Sequence, residues 1–582
     1  MGTTTEPVAP GRLLRGAGRH VAGRAGIVLL CSTAAAGAAL ATPAVLAGAV
    51  DAVLAADPAA GRWTALCAAL VVAEVALDAC AARVGGTGTA RASAWLRRRA
   101  VRGVLRTAPH RAAAFPAGDL ATRLTANAAE AGVAPVTAAT ALAALVPPVG
   151  GLAALFVIDP WAGLAFLAGV PLLLLLLRAF VRGAAASGSA YQRVQARIAG
   201  RLAEALGGAR TIAAAHSGER EYRRVLAPLP ELGAHGRANW RVYGRAAAGG
   251  SVLLPLLTTL VLAVGGLGLA AGRVGVGELL ALARYATLAA GVGLVTGALN
   301  TLVRGRTAAA RVAAVAALPG LAHGTRSLPP DGTGTLELRG VGVVHDGRTV
   351  LDGIDLTLPG GTTTAVVGAS GAGKSLLAAV AGRLRDPDRG VVLLDGVPLT
   401  EIGRAELREA VSFAFERPAL VGSTIADVIA PGPRRPDRAA LTAAARAAGA
   451  DRFATLLPQG YDTPTAEAPL SGGERQRLGL ARAFAHGGRL MVLDDATSSL
   501  DTVTEREVDR ALVADVAPGT RLIVAHRPSS AARADAVVWL EEGRVRGRGD
   551  HRRLWEDPDY RAVFAVPRDA GAHGRRDPGA VG

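Results

Sequence analysis

Through roughly the first 320 residues the apolar positions run together instead of alternating with polar ones. Continuous stretches near 25–48, 63–84, 133–156, 161–181, 247–270 and 279–303 each reach the ~20 residues needed to cross a bilayer. The second is interrupted by Glu74 and Asp78, and the sixth contains Arg284. Long polar segments join the second span to the third and the fourth to the fifth. One of them, "YQRVQARIAGRLAEALGGARTIAAAH", has helical spacing and composition. Both predict helices that continue beyond the bilayer, each pair closing in a short turn, near 113–121 and 213–220. A Pro/Gly-rich linker follows at 318–334. Beyond it the pattern changes to short β-type runs alternating with helical ones, which predicts an α/β domain. The expected order is an N-terminal arm (1–20), an all-α six-helix membrane domain (21–317), the linker (318–334), an α/β domain (335–566) and a disordered tail (567–582).

Charge orients the membrane half. The N-terminal arm and both long loops are rich in Arg, including Arg97, Arg98 and Arg99 in one loop and Arg220, Arg223 and Arg224 in the other. The remaining connections are short and poor in basic residues. The bias of positive charge toward the cytoplasm places the arm, both long loops and the α/β domain inside and predicts a multi-pass protein of the plasma (inner) membrane. The net charge of +17 and pI near 11.1 would otherwise suggest nucleic acid. Because the charge is distributed by loop, the reading is a membrane protein with no nucleic-acid partner. A hydrophobic content of 51% and a mean hydropathy of +0.32 agree. Cys31, Cys67 and Cys80 fit neither a metal site nor a disulfide framework. The first apolar stretch lacks a cleavage site and reads as an anchor that is kept.

The chemistry begins at "GASGAGKS", residues 368–375, between a buried-type strand and a helix. It fits the phosphate-binding pattern G-x-x-x-x-G-K-[ST]. The loop of Gly368, Ala369, Ser370, Gly371, Ala372 and Gly373 can curl backbone amides around phosphate oxygens, at a helix N-terminus whose dipole favours the same charge. Lys374 is expected to reach the β/γ-phosphates and Ser375 to ligate Mg²⁺. Of the 64 Lys and Arg residues, Lys374 is the only Lys. A compact ammonium fits inside a ring of amides where a planar guanidinium does not. "GRLMVLDDATSSLD" (488–501) is an apolar strand ending in acids, with Asp494 placed to support Mg²⁺. "LSGGERQR" (470–477) opens a helix with Ser471, Gly472 and Gly473, a second anion-binding start. A later strand, "RLIVAHRPSS", ends in His526.

In this order the motifs resemble the ATP-binding cassette of ABC transporters, and the six-span half resembles the type I exporter transmembrane domain, across about residues 20–565. "ATPAVLAGAVDAVL", "FPAGDLATRLTAN" and "AEALGGARTIAAAHSGERE" are weaker echoes in the membrane half. The resemblance implies a half-transporter that dimerises, with ATP and Mg²⁺ as cofactors and a hydrophobic small molecule, lipid or peptide as substrate. Two cassettes would sandwich two ATP, each between one chain's phosphate loop and the other's "LSGGE". Residues 368–375 would bind phosphate, and Ser471, Gly472, Gly473 and Glu474 would face the γ-phosphate of the opposite site. Asp494 would support Mg²⁺, His526 would sense the γ-phosphate, and Asp501 would make contacts across the dimer. The short turns would be the coupling helices.

Three positions depart from the family pattern. Asp495 stands where the family has the Glu that activates water. Glu416, in "VSFAFERPALVGSTI", stands where Gln is usual; it still offers Mg²⁺ an oxygen but adds negative charge. His345 stands where Tyr stacks on adenine. The stretch before the signature, "TPTAEAPLSGGE", also looks shortened. Asp in place of Glu beside an intact signature is typical of asymmetric pairs, so the resemblance favours a heterodimer subunit with a degenerate site of its own. A slower homodimer, an importer on the same fold and a largely non-hydrolytic partner stay open. Glu74 and Asp78, four apart on one helix face, would either face a water-filled cavity and favour a cationic substrate, pair with Arg284, or lie near a membrane edge.

Overall fold

The computed structural model describes residues 10–432, 436–514 and 519–565; the expected disordered tail lies outside them. The chain forms two compact units. One holds residues up to Leu105 together with Phe115–Leu318. The other holds Pro319 onward together with Arg106–Ala114.

The first unit is helical throughout. Among the described residues, helices within Ala22–Leu54, Ala60–Arg106, Ala117–Ile158 and Val252–Ala270 are long and apolar enough to cross a bilayer. The fourth expected span starts the helix Pro160–Gly207, whose first amides are capped by Asp159. Ala60–Arg106 is 47 residues long, which at 1.5 Å per residue is about 70 Å, more than twice a hydrocarbon core. Pro160–Gly207 and Leu229–Ala270 overrun in the same way, so the long loops are the predicted helical extensions.

Two expectations are corrected. The sixth span, 279–303, is not one helix: Val276–Ala289 stops and Val292–Ala316 begins after a break at Ala290–Gly291. Gly151 packs against Tyr285 and Ala289 just before that break, and Tyr285 Oη donates to the Leu40 carbonyl at 2.9 Å, which anchors Val276–Ala289 to the first span. The third span stands as part of Ala117–Ile158, interrupted only at Ala144–Leu145, because Pro147 and Pro148 lack the amides that would carry Ala128–Ala143 onward. The first turn comes earlier than 113–121: the chain leaves its long helix at Arg106, forms the short helix Pro109–Ala113 and resumes at Ala117.

In the second unit, β1 (Leu336–His345), β2 (Arg348–Leu358), β4 (Arg389–Leu394) and β5 (Val397–Pro398) form a four-stranded sheet in the order β2-β1-β4-β5. A second sheet has the order β10-β9-β3-β8-β7-β6, from β3 (Thr363–Val367), β6 (Val411–Phe415), β7 (Leu490–Asp494), β8 (Thr520–Val524), β9 (Ala536–Glu541) and β10 (Arg544–Gly549). Its interior strands are parallel and nearly wholly buried, as expected of strands covered on both faces. The two faces of β7 and β8 separate cleanly. Leu490, Val492, Leu522 and Val524 join Leu377 and Ala378 of the helix Lys374–Ala381 in one core. Met491, Leu493 and Ile523 pack with the helix Gly472–His486 in another.

The linker belongs to this unit. Arg383 is buried and reaches back to His323 Nδ1 at 3.0 Å and to the carbonyls of Ala322 and Leu399. The segment Arg106–Ala114 is held beside it, where Thr107 Oγ1 donates to the Pro319 carbonyl at 2.9 Å.

Candidate functional site

The loop Gly368–Gly373 joins β3 to the helix Lys374–Ala381. Gly371 and Gly373 have φ of 84° and 97°, a region that admits glycine without strain. At Gly368 a Cβ would run into the Leu540 carbonyl. The Ala372 amide donates back to the Ala369 carbonyl at 3.1 Å, closing the ring, and Ser370 lies exposed on its rim. Lys374 is buried inside it. Its ammonium donates to the Gly368 and Ala369 carbonyls at 2.8 and 2.9 Å and keeps a third proton for a ligand. Burial lowers its pKa, with Asp495 and then Asp494 opposing.

The acids at the end of β7 meet the loop. Asp494 Oδ1 accepts from Ser375 Oγ at 2.8 Å. Burial pushes the Asp494 carboxyl above the usual aspartate range; Ser375 pulls against this and Glu416 adds to it. Asp495 is raised by burial too, with His526 opposing and Glu416 reinforcing. The His526 Nε2 stands 4.0 Å from Asp495 Oδ2. Lys374, Ser375, Asp494, Asp495, Glu416 and His526 therefore share one field. Among the described residues no cluster of three His, Cys, Asp or Glu could hold a metal by itself. The oxygens of Ser375 and Asp494 instead suit Mg²⁺, which binds through one or two protein oxygens plus phosphates and water. Asp495 has φ of 51°, a left-handed conformation that Asp tolerates better than most residues.

The other expected residues lie elsewhere. Ser471 and Glu474 form a reciprocal cap on Gly472–His486: Glu474 Oε2 accepts from the Ser471 amide at 2.7 Å, and Ser471 Oγ accepts from the Glu474 amide at 3.3 Å. Gly472 beside this cap is exposed and Gly473 half-buried. Asp501 Oδ1 caps the helix Thr502–Ala514, accepting from the Val503 and Thr504 amides at 3.0 Å each. His345 ends β1 with its Nδ1 3.4 Å from Arg385 Nη1.

The sequence did not single out Gln476, which is buried in the signature helix. Its Nε2 donates to the Glu416 carbonyl at 3.1 Å and to Ser498 Oγ at 2.9 Å, and its Oε1 accepts from the Ser499 amide at 2.9 Å. One side chain thus ties two site loops to the helix Gly472–His486. Arg527 was missed as well. It pairs with buried Glu505 and donates to the Ser498 and Leu500 carbonyls at 3.2 and 3.3 Å. Arg527→Ala would leave the Glu505 carboxylate buried with only Ser530 as partner. The expected cost is about 3 kcal/mol, seen as a lower unfolding midpoint of the cassette. An unchanged midpoint would mean that the pair is not holding this loop.

The family model for ABC transporter matches residues 351–498, and that for the ABC transporter transmembrane region matches 25–291. The ABC transporter ATP-binding protein RamA of Streptomyces coelicolor is 54% identical, over 96% of this chain and 86% of that protein. The mycobactin import ATP-binding/permease protein IrtB of Mycolicibacterium thermoresistibile is 37% identical, over 68% of this chain and 69% of that protein. An ATP-dependent lipid A-core flippase of Chromobacterium violaceum is 39% identical over 44% of this chain and 45% of its own. The structure of a bacterial Atm1-family ABC exporter with ATP bound shares the fold, with a TM-score of 0.80 at 23% identity, over 94% of this chain and 97% of that one.

Proposed function

The chain belongs to the ABC transporter family, with transmembrane region and ATP-binding cassette on one polypeptide, and from that premise we propose that it is one half of a transporter whose other half is a different chain. It is a multi-pass membrane protein carrying an ABC ATPase. The observation behind the heterodimer is Asp495 beside an intact, well-capped signature. The carboxylate is one methylene short, so this chain's own site turns over slowly. Its Ser471, Gly472 and Gly473 complete the site of a partner bearing Glu. Ser375 and Asp494 would hold Mg²⁺ with Glu416 close by, His526 would sense the γ-phosphate, and His345 would stack on adenine.

The cargo is a hydrophobic small molecule, lipid or peptide moved outward across the plasma membrane, a reading supported by the lipid A-core flippase among the relatives. Import is the second reading, because IrtB is named for mycobactin import. The deciding experiment for the pairing is ATP hydrolysis by this chain alone, two copies per lipid nanodisc. Turnover no higher than that of Lys374→Ala, from folded and ATP-binding protein, supports a separate partner. Clear turnover above that blank overturns it and leaves a homodimer.

Glu74 and Asp78 line a cavity of about 320 Å³ in the membrane unit, together with Ser32 and Thr140. Neither forms an ion pair with Arg284 among the described residues, so the reading is a subsite favouring cationic cargo. Glu74→Gln/Asp78→Asn should lower transport of a cationic dye relative to a neutral one by about tenfold, the ~1.5 kcal/mol of one hydrogen bond to a charged group. Identical transport of both dyes by variant and wild type would remove this subsite.

A further inference from the structure

A cavity of about 280 Å³ lies in the cassette on the face of the central sheet opposite the helix Lys374–Ala381. Leu493, Ile523 and Leu512 give it apolar walls, while Thr363 and Arg521 enter from the strands. The volume is close to the lower end for small-molecule sites.

Arg521 is the unusual group. It occupies β8 between Thr363 and Met491, at the centre of the sheet, where a charged side chain is costly to bury. It is only 8% exposed, yet its guanidinium makes no hydrogen bond or ion pair among the described residues, and the cavity is what it faces. Asp535, an acid that acts on it, has Oδ2 engaged by the Thr363 amide at 2.8 Å. Buried arginine elsewhere in this unit is satisfied: Arg383 reaches Asp386, His323 and two carbonyls. A guanidinium stays charged and carries five donors, so an unpaired one in a cavity calls for an anion.

We propose that this cavity binds a small organic oxyanion, a carboxylate or phosphate on an apolar body, with its charge on Arg521 and its body against Leu493, Leu512 and Ile523. Arg533 lines the same cavity. Asp495, Ser498 and His526 also line it, so an occupant touches residues of the nucleotide site without entering the phosphate loop. Such a ligand adjusts turnover from behind the switch histidine.

The test uses the full chain in lipid nanodiscs, with the nucleotide site filled by a non-hydrolysable ATP analogue. Benzoate and phenyl phosphate are titrated separately by calorimetry. At least one should bind with a Kd of about 1 mM or tighter; which one distinguishes a carboxylate from a phosphate source. Arg521→Leu should weaken that probe by about tenfold or more, the loss of a charge-assisted contact. Leu512→Trp fills the cavity, leaves the charge in place and should weaken it too, which covers the case in which Arg521→Leu folds poorly. Absence of binding of both probes to the wild-type protein, or wild-type affinity in Arg521→Leu, overturns the proposal.

Discussion

In a chain whose own site turns over, such as Asp495→Glu, Lys374→Ala is expected to lower ATP turnover by about 10²–10³-fold, the scale of losing one preorganised charge-stabilising donor at a reacting group. The ammonium is held before any ligand arrives, because two of its protons already sit on the Gly368 and Ala369 carbonyls. Nothing else in the loop carries positive charge, and the loop is closed by the Ala372 amide. Lys374→Arg should be nearly as damaging even though it preserves the charge. The side chain is buried and bounded by backbone, so a planar guanidinium must either open the ring or point away from it. Nanodisc ATPase assays in the Asp495→Glu background, where this chain's own site turns over, read both variants. Near-wild-type turnover in Lys374→Arg would refute the steric account, and the lone lysine of the chain would lose its explanation.

Asp495→Glu is expected to raise turnover of the chain alone by about ten- to a hundredfold, the penalty associated with a reacting group misplaced by ~1 Å. Here the carboxylate is set back by one methylene, and His526 Nε2 is 4.0 Å from it. The left-handed backbone at this position, φ of 51°, costs Glu more than Asp, about 1 kcal/mol. That strain is present in ground and transition states alike, so it lowers stability without raising the barrier. Asp495→Asn should abolish whatever turnover remains. Unchanged turnover in Asp495→Glu would mean that carboxylate reach is not what limits this site.

Much of the fold could be read along the chain because its signals are local. Apolar runs mark the spans, and the overlong helices appear because apolar and polar helical segments follow one another without a break. The phosphate loop is legible for the same reason: glycine, lysine and serine act on groups within eight residues of each other. The capping box at Ser471 and Glu474 is equally local, three residues apart. The break at Ala290–Gly291 was not legible, because composition does not change there; what fixes Val276–Ala289 is its seat on the first span and on Gly151.

The same division runs through the site. Sequence determined that the chain has a membrane half and a phosphate-binding half, and which residue types stand at the loop, at the acid pair, at Ser471–Glu474 and at His526. Each depends on a short pattern whose chemistry is complete within it. Tertiary structure alone decided that Gln476 joins loops 60 and 22 residues away, that Arg527 depends on Glu505, and that Arg521 faces a cavity instead of a partner. A polar side chain in a strand or helix looks the same on paper whether it is satisfied, solvated or stranded. Only the packing of distant segments determines which groups reach it, and so whether its burial is compensated.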